Sequence, residues 1–172
     1  SQLEGSKIFT KEICKKYNIP TANFGVFKNF ENSVSFLEGC SHPIVVKADG
    51  LAAGKGVYIC ENKDKSTSAV KEIFGGKFGK ANRVLIEEFL EGEEMSFFII
   101  SDRKTKKKFG TAQDHKRVLE GDRGKNTGGM GAYSPSRLEN EKLDEKILEK
   151  IIKPTLKGLN ELKTSFCGFL YA

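Results

Sequence analysis

Residues 47–56 have the types and spacing that suit a polyphosphate ligand. Lys47 ends an apolar run, and Lys55 lies inside a segment made mostly of glycine and alanine, which includes Gly50, Gly54 and Gly56. Backbone N–H groups that no side chain screens can act together with ammonium groups on phosphate oxygens. The segment therefore predicts phosphate binding, with an ordinary glycine-rich hairpin turn as the alternative.

This segment differs from the two commonest nucleotide-binding motifs. Gly50 and Gly54 enclose three residues where a Walker A loop has four, and Gly56 stands where Ser or Thr should bind magnesium. A Rossmann fingerprint needs a third glycine and a following helix, but Val57 begins an apolar run typical of a strand. Both of these folds are therefore disfavoured.

A second segment, residues 85–94, combines an apolar run with acidic residues on either side. Extended backbone near Phe89 and Leu90 can offer an N–H and a C=O to an adenine edge, and a carboxylate such as Glu87 or Glu94 can accept hydrogen bonds from ribose. The alternative is a solvated acidic turn, which most acidic runs are.

A third segment pairs residues 113–117 with the glycine-rich residues 126–135. Lys116 and Arg117 can hold a phosphate, and Asp114 can orient an amine. The glycines that follow allow backbone donors to close over a small anion. The alternative is a basic face for solvent or nucleic acid, and His115 alone is more often structural than catalytic.

The elements that must position these residues follow from apolar periodicity. Ser6 is predicted to cap a helix that runs to about residue 17, and further helices are predicted over residues 31–38, 63–74 and 139–158. Pro154 should kink or divide the last of them. Strands are predicted over residues 24–27, 43–47, 57–60, from 84, 94–101, 106–112 and 168–172, with residues 49–56 inside a hairpin.

Residues 113–133 show no apolar period. Loops of this length without their own secondary structure are uncommon in compact domains and are often functional.

The amino-acid composition excludes several classes of protein. The 172 residues are 38% hydrophobic and 30% charged, which excludes a disordered tail and a disulfide-stapled miniprotein. Because 24 of the 29 basic residues are lysine, and arginine usually makes the bidentate contacts to bases, a protein dedicated to sequence-specific nucleic-acid binding is disfavoured. No apolar run is long enough to cross a bilayer, so we expect no membrane partner.

The four cysteines suggest neither a metal site nor a disulfide framework. They are widely spaced and make no CxxC pair, so reduced thiols and a cytoplasmic location are expected, with no metal ligands. The chain opens on Ser1 rather than Met and ends on the apolar run 169–172, which suggests part of a larger protein.

Taken together and in this order, the segments resemble the phosphoribosylamine:glycine ligase family of ATP-grasp enzymes. The resemblance rests on residues 5–7, 19–21, 46–57, 86–94, 113–117 and 126–135, and it covers nearly the whole chain. It implies an α+β ATP-grasp fold, with a small subdomain over residues 1–90, whose lid loop is 49–56, and part of the large antiparallel-sheet subdomain over 91–172.

The resemblance also implies a reaction. ATP phosphorylates the carboxylate of glycine, and the amine of 5-phosphoribosylamine attacks the acyl phosphate, giving glycinamide ribonucleotide, ADP and phosphate in purine synthesis. ATP and Mg²⁺ or Mn²⁺ are the implied cofactors. The alternatives are another ATP-grasp ligase with a different acceptor, a binding-only nucleotide module, or a basic nucleic-acid-binding domain.

Residue roles are carried over on the matching positions. Lys7 and Lys47 resemble the lysines that hold the ATP phosphates, Glu87 with the backbone of Phe89 and Leu90 would frame adenine, and Glu94 would bind ribose. The glycine-rich segment with Gly50, Gly54, Lys55 and Gly56 would cover the nucleotide. The substrate site would include Asp114, His115, Lys116, Arg117, Asn126, Thr127, Gly128, Gly129 and Gly131, and the catalytic set would be Lys47, Asp114, Lys116 and Arg117.

Family members also have an N-terminal domain and, after the last strand, a segment with a Glu and an Asn that bind magnesium. Neither lies within these 172 residues. The expectation is therefore that the rest of the ligase polypeptide is missing, and that this chain alone has little or no activity.

Overall fold

The structure, a computed structural model, describes residues 2–50, 56–79, 82–121 and 123–172. For Arg117, Lys125 and Asn126 it describes the backbone only. The chain divides into two compact units, which are described separately. Unit 1 contains Ser1–Lys15 and Thr21–Glu91, and unit 2 contains Lys16–Pro20 and Gly92–Ala172.

Unit 1 is a four-stranded antiparallel sheet with helices. Its strands are β1 (Phe24–Phe27), β2 (Ile44–Ala48), β3 (Val57–Cys60) and β4 (Val84–Glu88), in the spatial order β1-β4-β2-β3. Its helices are α1 (Gln2–Gly5), α2 (Lys7–Lys16), α3 (Phe30–Glu38) and α4 (Lys63–Phe74).

The core of unit 1 forms where α3 and α4 pack on one face of this sheet. Alternate residues of β2 and β4 point to that face, and α4 contributes the opposing side chains. Asparagine caps fix where the two helices begin, because Asn29 and Asn62 accept hydrogen bonds from the N–H groups of Asn32 and Lys65. The buried cluster contains Leu37, Ile44, Val46, Ala48, Cys60, Ala69, Val70, Ile73, Val84 and Ile86.

The start of α2 agrees with the predicted cap. The N–H of Phe9 donates to Ser6 Oγ at 3.1 Å, and α2 begins at Lys7. The short helix α1 just before it was not predicted, since four residues are too few to show a helical period.

Unit 2 is built on a second antiparallel sheet. Its strands are β5 (Ser96–Asp102), β6 (Lys106–Asp114), β9 (Ala132–Tyr133) and β10 (Cys167–Tyr171), in the order β10-β5-β6-β9. Between β6 and β9 the chain forms a separate hairpin of β7 (Arg117–Leu119) and β8 (Arg123–Asn126).

The prediction that residues 113–133 lack secondary structure was therefore wrong. The strands of this segment are short, polar and rich in glycine, so they carry no apolar alternation that could be recognised in the sequence. Gly121, which follows β7, and Gly124, within β8, adopt φ values of 71° and 88°, a region that favours glycine.

One helical region covers the second sheet. It consists of α5 (Glu141–Ile147), a π-helical segment (Leu148–Ile152) and α6 (Lys153–Glu161). The predicted interruption near Pro154 is confirmed: Pro154 is the second residue of α6, and the π-helical segment directly before it interrupts the α-helical hydrogen-bond pattern. Ile152 packs there against Phe97 and Ile99.

The α+β class predicted from the sequence is confirmed. Within the described ranges, no helix is long and apolar enough to cross a membrane.

Gly158 in α6 provides a test of packing in unit 2. A Cβ at this position would lie 2.6 Å from a ring carbon of Tyr17, whose hydroxyl donates to Glu161 Oε2 at 2.8 Å. Alanine normally stabilises a helix interior relative to glycine, but here it collides with a ring. Gly158→Ala should lower the free energy of unfolding by about 1–3 kcal/mol in a urea titration.

The control for this variant is the same substitution in a Tyr17→Ala background. With the ring removed, Gly158→Ala should become neutral or stabilising, so the sign of its effect should reverse. An unchanged destabilisation in that background would show that the ring is not the cause.

The cysteines differ in exposure, and this predicts their reactivity. Cys60 is 2% exposed, and burial raises the pKa of its thiol to about 11, whereas Cys167 on β10 is exposed. At pH 8 only about one Cys60 thiol in a thousand would be ionised, and the thiolate is the reactive form. In the folded chain, iodoacetamide should modify Cys167 first and Cys60 last.

Peptide mass spectrometry resolves the sites of modification. In urea, where burial is lost, all four cysteines should react at similar rates. Alkylation of Cys60 within tenfold of the rate of Cys167 in the folded chain would contradict the burial of Cys60.

Candidate functional site

Neighbouring strands of unit 1 bring Lys47 and Glu87 together. In the register of β2 and β4, Val45 pairs with Glu87 and Lys47 pairs with Leu85, so Lys47 and Glu87 are diagonal neighbours on one face of the sheet. Lys47 Nζ lies 2.9 Å from Glu87 Oε2. Glu87 is 6% exposed, so this is a nearly buried ion pair, on the face opposite the core.

A third charged residue, Lys11 of α2, completes this cluster. Its Nζ lies 3.3 Å from the same oxygen of Glu87, and it also donates to Thr21 Oγ1 and to the carbonyl of Ala22. Sequence reasoning missed Lys11. In the sequence, the helical period places Lys11 on the same face as the apolar residues Ile8 and Ile13, and this could have indicated a buried lysine. In the structure, α2 buries all three side chains.

Lys7, the first residue of α2, points to the end of β2. Its Nζ donates to the carbonyls of Ala48, at 3.1 Å, and Gly50. Burial lowers the pKa of Lys7 and the nearby ammonium of Lys47 acts in the same direction, although the carboxylate of Asp49 opposes both. The structure thus brings together the two lysines to which the sequence assigned phosphate contacts.

Asp49 fixes the start of α2 against the end of β2. Its Oδ1 accepts hydrogen bonds from Ser6 Oγ at 3.0 Å and from the N–H of Ile8 at 3.2 Å, and Arg83 donates to Oδ2 at 3.1 Å. A carboxylate at a helix N-terminus is electrostatically favourable. The sequence gave no sign of these contacts, which hold Lys7 at its place.

The glycine-rich segment connects two antiparallel strands, so its predicted place in a hairpin is confirmed. Gly50 adopts a φ of 93°, a left-handed conformation that a side chain would strain, and the carbonyl of Gly56 accepts from the N–H of Ala48 at 2.8 Å. Gly54 and Lys55, which carry part of the predicted phosphate site, lie outside the described residues.

Phe89 and Leu90 follow β4 directly. Within the described part of the chain, no hydrogen bond engages the peptide N–H or C=O of either residue. Leu90 is 64% exposed. These backbone groups are therefore available to a ligand that presents both a donor and an acceptor.

In unit 2, a lysine links two of the predicted site residues. Lys116 Nζ lies 2.8 Å from Glu94 Oε2 and 3.8 Å from Asp114 Oδ1. The hydrogen bond to Glu94 raises the pKa of Lys116 against the opposing effect of burial. Glu94, to which the family resemblance assigned ribose binding, thus contacts a residue of the predicted substrate site, and this contact was not predicted.

The backbone of residues 127–131 folds back onto the residues that follow β6. His115 exchanges backbone hydrogen bonds with Gly131 and Met130, at 2.8 and 2.7 Å, and the N–H of Thr127 donates to the carbonyl of Lys116 at 2.7 Å. The structure therefore unites the two parts of the third predicted segment. Arg117 and Asn126 face each other across the β7–β8 hairpin, but their side chains lie outside the description.

Gln113 anchors this region; it lies in the third predicted segment, but the sequence assigned it no role. Its Oε1 accepts hydrogen bonds from Tyr133 Oη at 2.6 Å and from Ser136 Oγ at 2.8 Å. The ring of His115 stacks on Tyr133 at 5.8 Å between centroids. Gly128 and Gly129 lie in open space, where a Cβ would meet no atom within 4 Å, and Gly129 has a φ of 118°.

Together, these contacts place lysine side chains beside carboxylates in each unit. In unit 1, Lys11 and Lys47 contact Glu87, and Lys7 lies near Lys47 and Asp49. Three ammonium groups thus lie near two carboxylates, so an anion near Lys7 and Lys47 would find net positive charge. In unit 2, Lys116 is held among acceptors beside a glycine-rich segment. This chemistry suits phosphate binding rather than nucleophilic catalysis by a side chain.

Comparison with known proteins gives the family. A family model described as the phosphoribosylglycinamide synthetase ATP-grasp (A) domain matches residues 5–172. The chain belongs to this family. It is 49% identical over 173 residues to a phosphoribosylamine–glycine ligase of Mesorhizobium japonicum, and 47% identical over 174 residues to one of Pseudomonas aeruginosa. These matches include 100% of the chain and 41% of each relative, so the chain spans about two fifths of their length.

Solved structures agree with the ATP-grasp assignment. A phosphoribosylamine–glycine ligase from Thermotoga maritima is similar with a TM-score of 0.89 and 37% identity, over 98% of this chain and 43% of that one. A biotin carboxylase domain from Hydrogenobacter thermophilus is similar in fold alone, with a TM-score of 0.74 and 18% identity over 99% of this chain and 36% of that one. The ATP-grasp fold predicted from the motifs is confirmed.

Proposed function

We propose that this chain supplies ATP-binding and substrate-binding residues of a phosphoribosylamine–glycine ligase. ATP would phosphorylate the carboxylate of glycine, and the amine of 5-phosphoribosylamine would attack the acyl phosphate. The products would be glycinamide ribonucleotide, ADP and phosphate, a step of de novo purine synthesis. The observation that carries the proposal is the meeting of Lys7 and Lys47 at the end of β2, in a chain of this family.

Unit 1 would bind the nucleotide. Lys7 and Lys47 would neutralise its phosphates, with the glycine-rich segment 49–56 as the lid, and the unpaired backbone groups of Phe89 and Leu90 would receive the adenine edge. Glu87 would hold Lys47 in position beside the adenine site. ATP supplies the phosphoryl group, and the chain's own residues bind and orient it.

Unit 2 would bind the second pair of reactants. The ammonium of Lys116 would neutralise a phosphate, with Arg117 beside it in the chain. Asp114 would orient the attacking amine, and His115, Asn126, Thr127 and the glycines 128, 129 and 131 would close around the substrate. Glu94, which contacts Lys116 in this structure, would bind the ribose of ATP rather than a substrate.

Magnesium or manganese is a cofactor that the family resemblance implies, and its ligands are expected outside these 172 residues. Within the described ranges, no group of three or more His, Cys, Asp or Glu side chains could hold a metal ion. The residues present do not fit the metal, and no step is derived through it.

The two units would correspond to the small ATP-grasp subdomain, over residues 1–90, and to part of the large one, over residues 91–172. The substrates are small molecules, the remaining polypeptide of the ligase would be the partner of this chain, and nucleic acid and membrane would not be partners. A cytoplasmic location would follow from the same pathway.

A chimera tests this function. The matching segment of the Mesorhizobium japonicum relative is replaced by this chain, which is 49% identical to it. A folded chimera should release ADP only when both glycine and 5-phosphoribosylamine are present. ADP release with another carboxylate in place of glycine would indicate a different ATP-grasp ligase, and ATP binding without turnover would indicate a binding module.

A further inference from the structure

A concave surface in unit 2 lies outside the proposed active-site residues. It has a volume of about 310 Å³ and lies between the β5–β6 turn and α6. Five of its lining side chains are cationic and one is acidic, Glu161. The cationic side chains are Arg103, Lys104, Lys106, Lys153 and Lys157. We call this surface the turn pocket.

The β5–β6 turn, which carries Arg103 and Lys104, is stabilised by several hydrogen bonds. Asp102 Oδ1 accepts hydrogen bonds from the N–H groups of Lys104 and Thr105, at 2.9 and 2.6 Å. Ser101, which is 6% exposed, places its Oγ 3.0 Å from the carbonyl of Thr105 and 3.4 Å from that of Phe166. The turn is thereby tied to the segment before β10, and its cations are presented from a fixed backbone.

The positive charge of the turn pocket is only partly compensated. Among the described residues, Arg103, Lys104 and Lys106 form no ion pair. Lys153 pairs with Glu149, and Lys157 Nζ lies 4.0 Å from Glu161, whose other oxygen accepts from Tyr17. Like charges that converge on one concavity repel each other, and a bound anion would relieve that repulsion.

We infer that the turn pocket binds a small phosphate-bearing anion. Its volume of about 310 Å³ lies at the lower end of small-molecule sites and exceeds what a diphosphate group needs. Arg103 offers a planar fork of donors and the lysines offer point charges, a combination that matches phosphate oxygens.

The turn pocket is separate from the proposed substrate site. In the register of β5 and β6, Ser101 pairs with Lys106 at one end and Ser96 pairs with Ala112 at the other. Five residues of strand extend on the order of 17 Å. Since Glu94 and Asp114 lie beyond the far end, the inference does not depend on the proposed ligase activity.

Inorganic pyrophosphate is the probe for this site. Added to the isotope-labelled chain, it should cause saturable NMR shifts at the amides of Arg103, Thr105 and Phe166. Lys104→Gln combined with Lys157→Gln should weaken this binding by about tenfold or more, the size expected for losing charge-assisted hydrogen bonds. The matched control neutralises two exposed lysines of the same unit, Lys142→Gln with Lys150→Gln, and should change the affinity by less than about twofold.

Three results would overturn the inference. The first is the absence of saturable NMR shifts in the turn pocket on addition of pyrophosphate. The second is an equal loss of pyrophosphate affinity in the pocket variant and the control variant. The third is binding of an oligonucleotide to a turn pocket that does not bind pyrophosphate. Shifts confined to residues near Lys7 and Lys47 would count against the turn pocket while supporting the nucleotide site, so the two proposals can fail independently.

Discussion

Glu87→Gln should lower the free energy of unfolding by about 3 kcal/mol, because it removes the carboxylate that Lys11 and Lys47 share. The substitution keeps the size of the side chain and takes away its charge. Lys11 has a side-chain exposure of 10%, so its ammonium would remain largely removed from water without a counter-ion. Urea unfolding followed by circular dichroism measures the change.

The control is Glu91→Gln, which makes the same chemical change at an exposed position after β4. It should alter the unfolding free energy by less than about 0.5 kcal/mol. If Glu87→Gln lowered the unfolding free energy by less than about 1 kcal/mol, Glu87 and its two lysines would behave like an exposed ion pair. That result would contradict the burial described above.

The second large effect concerns phosphoryl transfer. In the chimera, Lys47→Ala should reduce the rate of glycine-dependent ADP release by about 10³-fold, comparable to the loss of one preorganised donor to a transition-state oxygen. The ammonium of Lys47 is held by Glu87 at 2.9 Å and is 25% exposed, so it is fixed in place and yet accessible to a ligand.

Lys71→Ala is the matched control for this prediction. Lys71 is an exposed lysine of α4, and its removal should leave the rate within about twofold. A thermal melt must show that both variants fold. Activity of Lys47→Ala within tenfold of the unmodified chimera would remove Lys47 from the proposed catalytic set.

Much of unit 1 could be predicted because its elements carry strong local signals. β1, β3 and α4 have the predicted bounds, and the Asn62 cap and the glycines after Phe74 mark both ends of α4. In β2 the continuous apolar run of residues 43–47 anticipated a buried strand, and the structure begins it one residue later.

The contacts that build the candidate site could not be predicted in the same way. Lys11 and Glu87 are far apart in sequence, and their pairing depends on how α2 packs against the sheet. The same holds for Asp49 with Arg83. The motifs identified Lys7, Lys47 and Glu87 as site residues, but only the fold shows that Glu87 and Lys47 contact each other.

In the β7–β8 hairpin, by contrast, candidate site residues were predicted but the backbone structure was not. Arg117 and Asn126 were predicted to be site residues from their chemistry, while the strands that carry them went unrecognised because glycine and charge replace the alternation of a half-buried strand. Residue chemistry therefore indicates a candidate binding segment, whereas prediction of its strands requires an apolar alternation that this segment lacks.

The central claim is that unit 1 holds a nucleotide at Lys7 and Lys47, and an ATP titration of the isolated chain tests it most directly. Isothermal calorimetry should show saturable binding that Lys47→Ala abolishes and Lys71→Ala preserves. NMR shifts should localise to Lys7, Gly50, Phe89 and Leu90. A folded chain that binds no ATP, or binds it equally well without Lys47, would contradict the account.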